Sequence, residues 1–307
     1  MDITLLIVQL LNGLQLGVLL FLLASGLSLT FGIMNFVNLA HGSLYMLGAF
    51  FCASLTLWTG SFLAGVLLAL PAMVFAGRVI EAAIVQHLYP RDHLDHVLAT
   101  FGLILCFDAL VQIIWGPAGI AVPLPDWLNG SIRLADDITF PTFRLLIIVS
   151  GLLVAAGLYI LVVHTRLGML IRAGASNRTM AAALGVDIKT LSAFVFTLGA
   201  TLAGFAGMLI APITEASVGM GNEIIITALV VVIVGGIGSI KGAFVAALLI
   251  GLIDTLGRSY LDDIFKLTMP AEYAETAAPA ISAMLIYILM AAILAIRPEG
   301  LFPPQTR

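Results

Sequence analysis

Charge is what this sequence has least of. Only 10% of its 307 residues are Asp, Glu, Lys or Arg, against 61% hydrophobic, whereas a soluble domain uses about 25% charged residues to coat its solvated surface. That scarcity excludes a water-soluble globule and leaves most of the surface to face lipid. Strict apolar–polar alternation is also missing, and with it the signature of a membrane β-barrel. The two cysteines, Cys52 and Cys106, lie in apolar runs, where a thiol is expected to pack buried as a small hydrophobe and a disulfide has no basis. The first run, MDITLLIVQLLNGLQLGVLLFLLASG, contains no Lys or Arg. It lacks the basic start of a cleavable signal peptide and reads as a retained first span. A net charge of −4 gives no basis for a nucleic-acid partner.

What is present is apolar length. Such stretches fall at 4–33, 43–58, 61–80, 97–115, 143–163, 190–212, 224–257 and 281–296, and about 20 residues suffice to cross a bilayer core as a helix. The expectation is an all-α polytopic transmembrane bundle of about 8–9 spans in a bilayer, one domain over residues 1–307, with one or two broken or re-entrant helices. Residues 224–257 would run about 50 Å as one helix, too long for one crossing. GGIGSIKG at 235–242 marks the break, leaving a first arm too short to cross alone. It is not a phosphate-binding loop, because Lys241 is followed by Gly242 and no soluble strand precedes it.

Basic residues set the orientation. The segment 164–189 carries His164, Arg166, Arg172, Arg178 and Lys189 and is placed in the cytoplasm. Alternation then puts 78–96 and the C-terminal tail (Arg297, Arg307) inside as well. The N-terminus and the segments 116–142, 213–223 and 258–280 go outside, where acids such as Asp126, Asp136, Asp137 and Glu215 outnumber bases.

Within the cytoplasmic segment, RAGASNRTMAAALGVDIKT (172–190) stands apart from the apolar runs around it. Ser176 or Asn177 can cap a helix N-terminus. Gly185 followed by Val186 suits a left-handed stop, and Asp187 can cap the next span. Between the caps lies a helix of about eight residues, too short to persist alone in water. Met180, Ala181 and Leu184 share one face. The face either rests on headgroups and its own bundle or fits a groove on a soluble partner.

ASNRTMAAALGVDIKTL resembles the coupling loop of ABC-transporter permeases of the hydrophobic amino acid uptake type, which import branched-chain amino acids. NFVNLAHGSLYMLGAF (35–50), VVIVGGIGSIKGAFVAALLIG (231–251) and RPEGLF (297–302) resemble further signatures of that family, in the same order. Against the broader coupling pattern of ABC importers, Ala181, Ala182 and Gly185 fit loosely and the acidic first position is missing. The resemblance implies a non-catalytic permease subunit with no cofactor, in a bacterial inner membrane. Its implied partners are two cytoplasmic ATPases, a second, similar permease and a periplasmic binding protein. It implies that residues 176–186 contact the ATPases, with Met180, Ala181 and Leu184 as the packing face and Arg172 and Arg178 flanking it.

Two breaks are candidates for the pathway. One is 30–43, where Asn35, Asn38, His41 and Gly42 interrupt an apolar run; the other is 235–242, with Gly235, Gly236 and Gly238. Each is followed by a similar phrase, SLYMLGAFFCA and KGAFVAALLIG, a weak internal echo. Both also read as ordinary interfacial turns. Asp108 lies mid-span with Gln112 one turn on and no cation nearby, facing either water or another helix. Asp254 is expected to pair with Arg258. His87, His93 and His96 fall in QHLYPRDHLDH, a charged stretch expected to be a solvated loop, and they make no metal site with His41. Gly199, Ala203 and Gly207, four apart, predict close helix approach. From the residues alone, a proton-coupled transporter and a passive channel remain alternatives, and the resemblance also admits a permease of the same family for urea or short amides.

Overall fold

In the computed structural model, residues 3–135, 138–267 and 271–302 are described; Asp136, Asp137 and Arg307 lie outside them. Among the described residues, eight helices are long and apolar enough to cross a membrane. In chain order the helices are α1 (Ile3–Met34), α2 (His41–Thr59) and α3 (Phe62–Ile80), which runs through a π-helical turn (Glu81–Val85) into α4 (Gln86–Leu88). Then come α5 (His93–Trp115), α6 (Thr142–His164), α7 (Arg166–Ser176), α8 (Arg178–Ala183), α9 (Ile188–Thr214), α10 (Met220–Gly235), α11 (Ile240–Lys266) and α12 (Ala271–Ile296). An antiparallel hairpin of β1 (Ser131–Ala135) and β2 (Ile138–Pro141) sits in the connection between α5 and α6, an addition to the all-helical expectation.

The axis of the bundle is α1. Its most apolar window is 83% buried, against 11% for α12 at the rim. Small residues set this centre, because they let helix backbones meet where no hydrophobic force drives association in lipid. A Cβ on Gly13 would lie 2.9 Å from Leu252 Cα of α11, and one on Gly26 2.8 Å from Gly199 Cα of α9. The predicted small-residue row on α9 is used in full, with Gly207 against the backbone of Tyr45 on α2 and Ala203 fully buried. The rim helices expose large apolar side chains such as Phe75, Leu98, Ile113 and Leu153, as a lipid-facing surface requires. Cys106 belongs to that exposed surface while Cys52 is buried, so the expectation that both thiols are buried holds for Cys52 alone.

The long run 224–257 divides as its glycines suggest. Gly236 (φ +102°) and Gly238 (φ +82°) end α10 and turn the chain into α11. This turn lies at the end of the bundle that carries α7 and α8. There Gly236 backs onto Phe302 and Gly300, and Leu301 and Phe302 donate their N–H groups to the Val234 and Gly235 carbonyls.

Two other breaks lie deeper. After α1 ends at Met34, residues 35–40 turn back along it, so that His41 Nε2 donates to the Leu23 carbonyl at 3.2 Å, about 16 Å inside that helix end. Backbone at such depth must find partners within the protein. Leu39 donates its N–H to Thr100 Oγ1 of α5 at 3.3 Å, and Thr100 in turn donates to the His96 carbonyl at 2.7 Å. From the other end, α9 stops at Thr214, and residues 215–219 enter through Glu215 (φ +63°) and Gly219 (φ +83°), with Ala216 paired to Ile120. The first turn of α10 then meets the first turn of α2. A Cβ on Gly221 would overlap the Gly42 carbonyl oxygen, and one on Gly42 the Gly221 oxygen.

The charged stretch 86–96 differs from the solvated loop expected of it. Only Tyr89–Asp92 stand outside helices there. His96 is 3% exposed, donating from Nε2 to the Leu88 carbonyl at 2.9 Å. Just before this stretch Glu81 is buried, ion-paired to Arg78 at 2.5 Å and accepting from the Tyr89 hydroxyl at 3.0 Å. The reason is local: a π-helical turn directs Glu81 and Tyr89 to the same side, so three polar groups satisfy one another.

Candidate functional site

At the end of the bundle carrying α7 and α8, the chain builds a small, fully capped helix. Asn177 Oδ1 accepts from Met180 N–H at 2.9 Å, while Ser176 serves as the last residue of α7. Gly185 (φ +90°) donates to the Ala182 carbonyl and Val186 to the Ala181 carbonyl, each at 3.0 Å. That reciprocal pair is the Schellman stop. Asp187 Oδ1 then accepts from Lys189 and Thr190 N–H at 3.0 and 3.2 Å. The Thr190 hydroxyl and these backbone donors hold the Asp187 carboxyl below the usual carboxylate range. A carboxyl depressed in the folded state loses its stabilising effect only as pH falls through that lowered value, so the cap stays in place at neutral pH.

Between its caps α8 has six residues, shorter than the eight expected. Met180 is 58% and Leu184 79% exposed, but Ala181 is 4% exposed. The face drawn from the sequence therefore divides: Ala181 seats the helix on its own chain, while Met180, Leu184 and the exposed Ala182 point away from it. Arg172 donates to the Val162 carbonyl at the end of α6. Arg178 lies over the Tyr89 ring at 5.7 Å. Beside them opens a cavity of about 850 Å³ whose lining includes Asn35, Tyr159, Arg172, Arg178, Gly238 and Lys241, with no carboxylate. Lys241 reaches over the Tyr159 ring at 5.8 Å. Removing the cap with Asn177→Ala costs about 1 kcal/mol of local helix stability. Amide exchange in 178–184 should accelerate roughly fivefold in hydrogen-exchange mass spectrometry, with α9 unchanged.

The eight candidate pathway residues are not brought into one site. Asn35 (φ +50°) sits near His93, Nδ2 to Nε2 3.3 Å, and Gly238 backs onto Gly32; both line the cavity beside α8. Asn38 and His41 are buried polar residues, and Gly42 is closed off by Gly221. Gly235 and Gly236 pack against Gly242 and the C-terminal turn. Asp108 is half-buried, and its Oδ2 accepts from Asn222 Nδ2 at 2.9 Å. Its partner is thus on α10 and not at Gln112. The Asp254–Arg258 pair is formed as expected, with Nε 3.0 Å from each carboxylate oxygen.

A second cavity, of about 560 Å³, lies beside the start of α10 and reaches Thr214 at the α9 end remote from α8. Its polar lining comprises Tyr45, Thr214, Ser217, Glu223, Thr227 and the Asp254–Arg258 pair, set among leucines and isoleucines of α1, α9, α10, α11 and α12. Of these, sequence reasoning singled out only Asp254 and Arg258. Asn222 and Glu223 were counted as part of an outer loop. Their position at the head of the short arm before the glycine break was the available signal.

Eight apolar spans, two helix starts meeting inside the bundle and an amphipathic cavity define a polytopic helical membrane protein. Residues 9–294 match the family model described as "Branched-chain amino acid transport system / permease component", and the chain belongs to that family of transport permeases. It is 28% identical over 309 residues to the high-affinity branched-chain amino acid transport system permease protein LivH of Escherichia coli K12, covering 95% of this chain and 96% of that one. To BraD of Pseudomonas aeruginosa, a permease protein of the same description, it is 29% identical over 279 residues, 84% and 88% of the two chains. To a probable branched-chain amino acid transport permease LivH of Methanocaldococcus jannaschii it is 29% identical over 257 residues, 80% and 79% of the two chains. No solved structure matches to a significant degree.

Proposed function

We propose that this chain is the permease subunit of an ATP-driven importer of branched-chain or other hydrophobic amino acids in a bacterial inner membrane. In this reading it forms one transmembrane unit with its N-terminus outside and its C-terminus in the cytoplasm. The observation that carries the coupling is α8: a six-residue helix, capped at both ends, holding Leu184 and Met180 out beyond its own core. A segment that short has no independent stability, and its apolar side chains complement a groove on a soluble partner. Arg172, Arg178 and Lys241 beside it suit an acidic rim on that partner. Two cytoplasmic ATPases would take these helices, one from this chain and one from a second, similar permease. Their closure would rock the two chains between inward- and outward-open states, while a periplasmic binding protein delivers solute at the opposite end.

The exposed Asp108–Asn222 pair supports a paired permease. A hydrogen-bonded carboxylate at membrane depth is costly against lipid, so this face is best covered by a second subunit or a water-filled pathway. A proton-coupled carrier is less well supported, because Asp108 and Asp254 are both engaged by donors. Gentle-detergent capture of the tagged chain from its native membrane, read by mass spectrometry, tests the assembly. An ATPase and a sister permease are expected to copurify in comparable amounts. Recovery of this chain alone, while a control transporter stays assembled, would overturn the reading.

A further inference from the structure

We propose that the 560 Å³ cavity is a binding site for a zwitterionic hydrophobic amino acid, its ammonium against Glu223 and its carboxylate against the outer nitrogens of Arg258. The proposal rests on the importer reading and deepens it by assigning the site and the charge type of the solute. Arg258 is the lone cation in the lining, facing two carboxylates. Asp254 is already engaged: both of its oxygens accept from Arg258 Nε. That geometry leaves the two terminal nitrogens of the guanidinium as donors in a fork that matches a carboxylate. Asp254, 7% exposed, fixes the direction of the fork.

Glu223 stands in the first turn of α10 and lines the cavity. Its carboxylate makes no ion pair among the described residues. The cavity therefore offers one carboxylate outside any ion pair among the described residues and one set of free guanidinium donors, beside isoleucines and leucines of the same lining. Its size falls within the range of small-molecule sites, about 300–1,000 Å³. A solute carrying both charges and an apolar side chain satisfies all three features. Urea or a short amide leaves both charges unmatched and gains nothing from them. A carboxylate alone is repelled by Glu223. An amine alone leaves Arg258 unmatched, yet the lining carries one net negative charge, so the amine is the strongest competitor.

The test uses the full-length chain in phosphatidylcholine nanodiscs and four probes of one shape: leucine, 3-methylbutylamine, 4-methylpentanoate and 4-methylpentanamide. Ligand-observed NMR titration is expected to give leucine at least about tenfold tighter binding than each of the other three. Glu223→Gln should weaken leucine about tenfold and move the preference toward 4-methylpentanoate. Glu223 is exposed and takes part in no ion pair among the described residues, so the variant should fold, and its melting temperature checks this. The four-probe comparison needs no variant in any case. Leucine binding no tighter than its analogues, the amine binding tightest, no binding at all, or leucine binding indifferent to Glu223→Gln each overturns the site. Copurification of the ATPase is independent of this result: an assembled importer without leucine selectivity sinks the site alone, and a leucine-selective chain without an ATPase sinks the coupling alone.

Discussion

Leu184→Asp is expected to reduce ATP-driven uptake to background while leaving insertion and thermal stability of the chain unchanged. Leu184 is 79% exposed and contributes little to its own fold, so a change of side chain there acts on whatever covers it. Burying a leucine in an apolar pocket is worth about 1.5–3 kcal/mol. A carboxylate in the same pocket forfeits this and adds a desolvation cost, so the affinity for the ATPase should fall on the order of 100-fold or more. Ala182→Glu, at another exposed position of α8, should do likewise. Leu184→Met, which keeps volume and polarity, should retain most of the activity. The measurement is solute uptake in vesicles holding the full assembly, with the amount of copurified ATPase as a second reading. Normal uptake in both charged variants would exclude α8 as the docking element.

The second large effect concerns the place where α2 and α10 begin. Gly42→Ala or Gly221→Ala should lower the melting temperature by roughly 5 °C or more and remove transport, since overpacking costs about 1–3 kcal/mol. Intrinsic helix propensity argues the other way, favouring Ala over Gly by about 1 kcal/mol. Steric contact wins because each new methyl meets a backbone carbonyl of the facing helix, which cannot swing aside as a side chain can. Gly102 supplies the control. Nothing lies within 4 Å of a Cβ built there, so Gly102→Ala should leave stability unchanged or slightly raised. Fluorescence-detected melting of the three variants in one detergent distinguishes them. Equal melting of all three would mean that the two helix starts do not touch in the working protein.

Both predictions draw on features with different legibility in the sequence. The caps of α8 were readable because capping is local: an Asn oxygen reaches a backbone donor three residues on, and a Gly adopts the left-handed turn wherever the helix stops. The Asp254–Arg258 pair was readable for the same reason, being one helical turn apart. The direction of Ala181 was not. A six-residue helix presents three residues per turn, and which of them faces inward depends on how α7 and α9 hold it. His96 was misjudged as part of a solvated charged run because composition reports polarity without its partners, and its partner, the Leu88 carbonyl, is supplied by the fold.

The sequence by itself determined that this chain lives in a membrane, that it is helical, where most spans lie to within a few residues (the end of α11 and the start of α12 were missed by nine and ten), and where the short capped helix stands. Those outcomes follow from apolar length and from interactions within one turn of helix, which the order of residues fixes directly. Only the tertiary structure decided which breaks lie deep, since Gly235–Gly238 and residues 215–219 both interrupt apolar runs but only the latter leads α10 to Gly42. It also decided that Asp108 meets Asn222, and that Glu223, Tyr45 and Arg258 share a cavity. The physical reason is distance along the chain. These groups come from helices far apart in sequence, and only the close approach of Gly13, Gly17, Gly26 and Gly42 to their partners sets how the helices stack and which side chains converge.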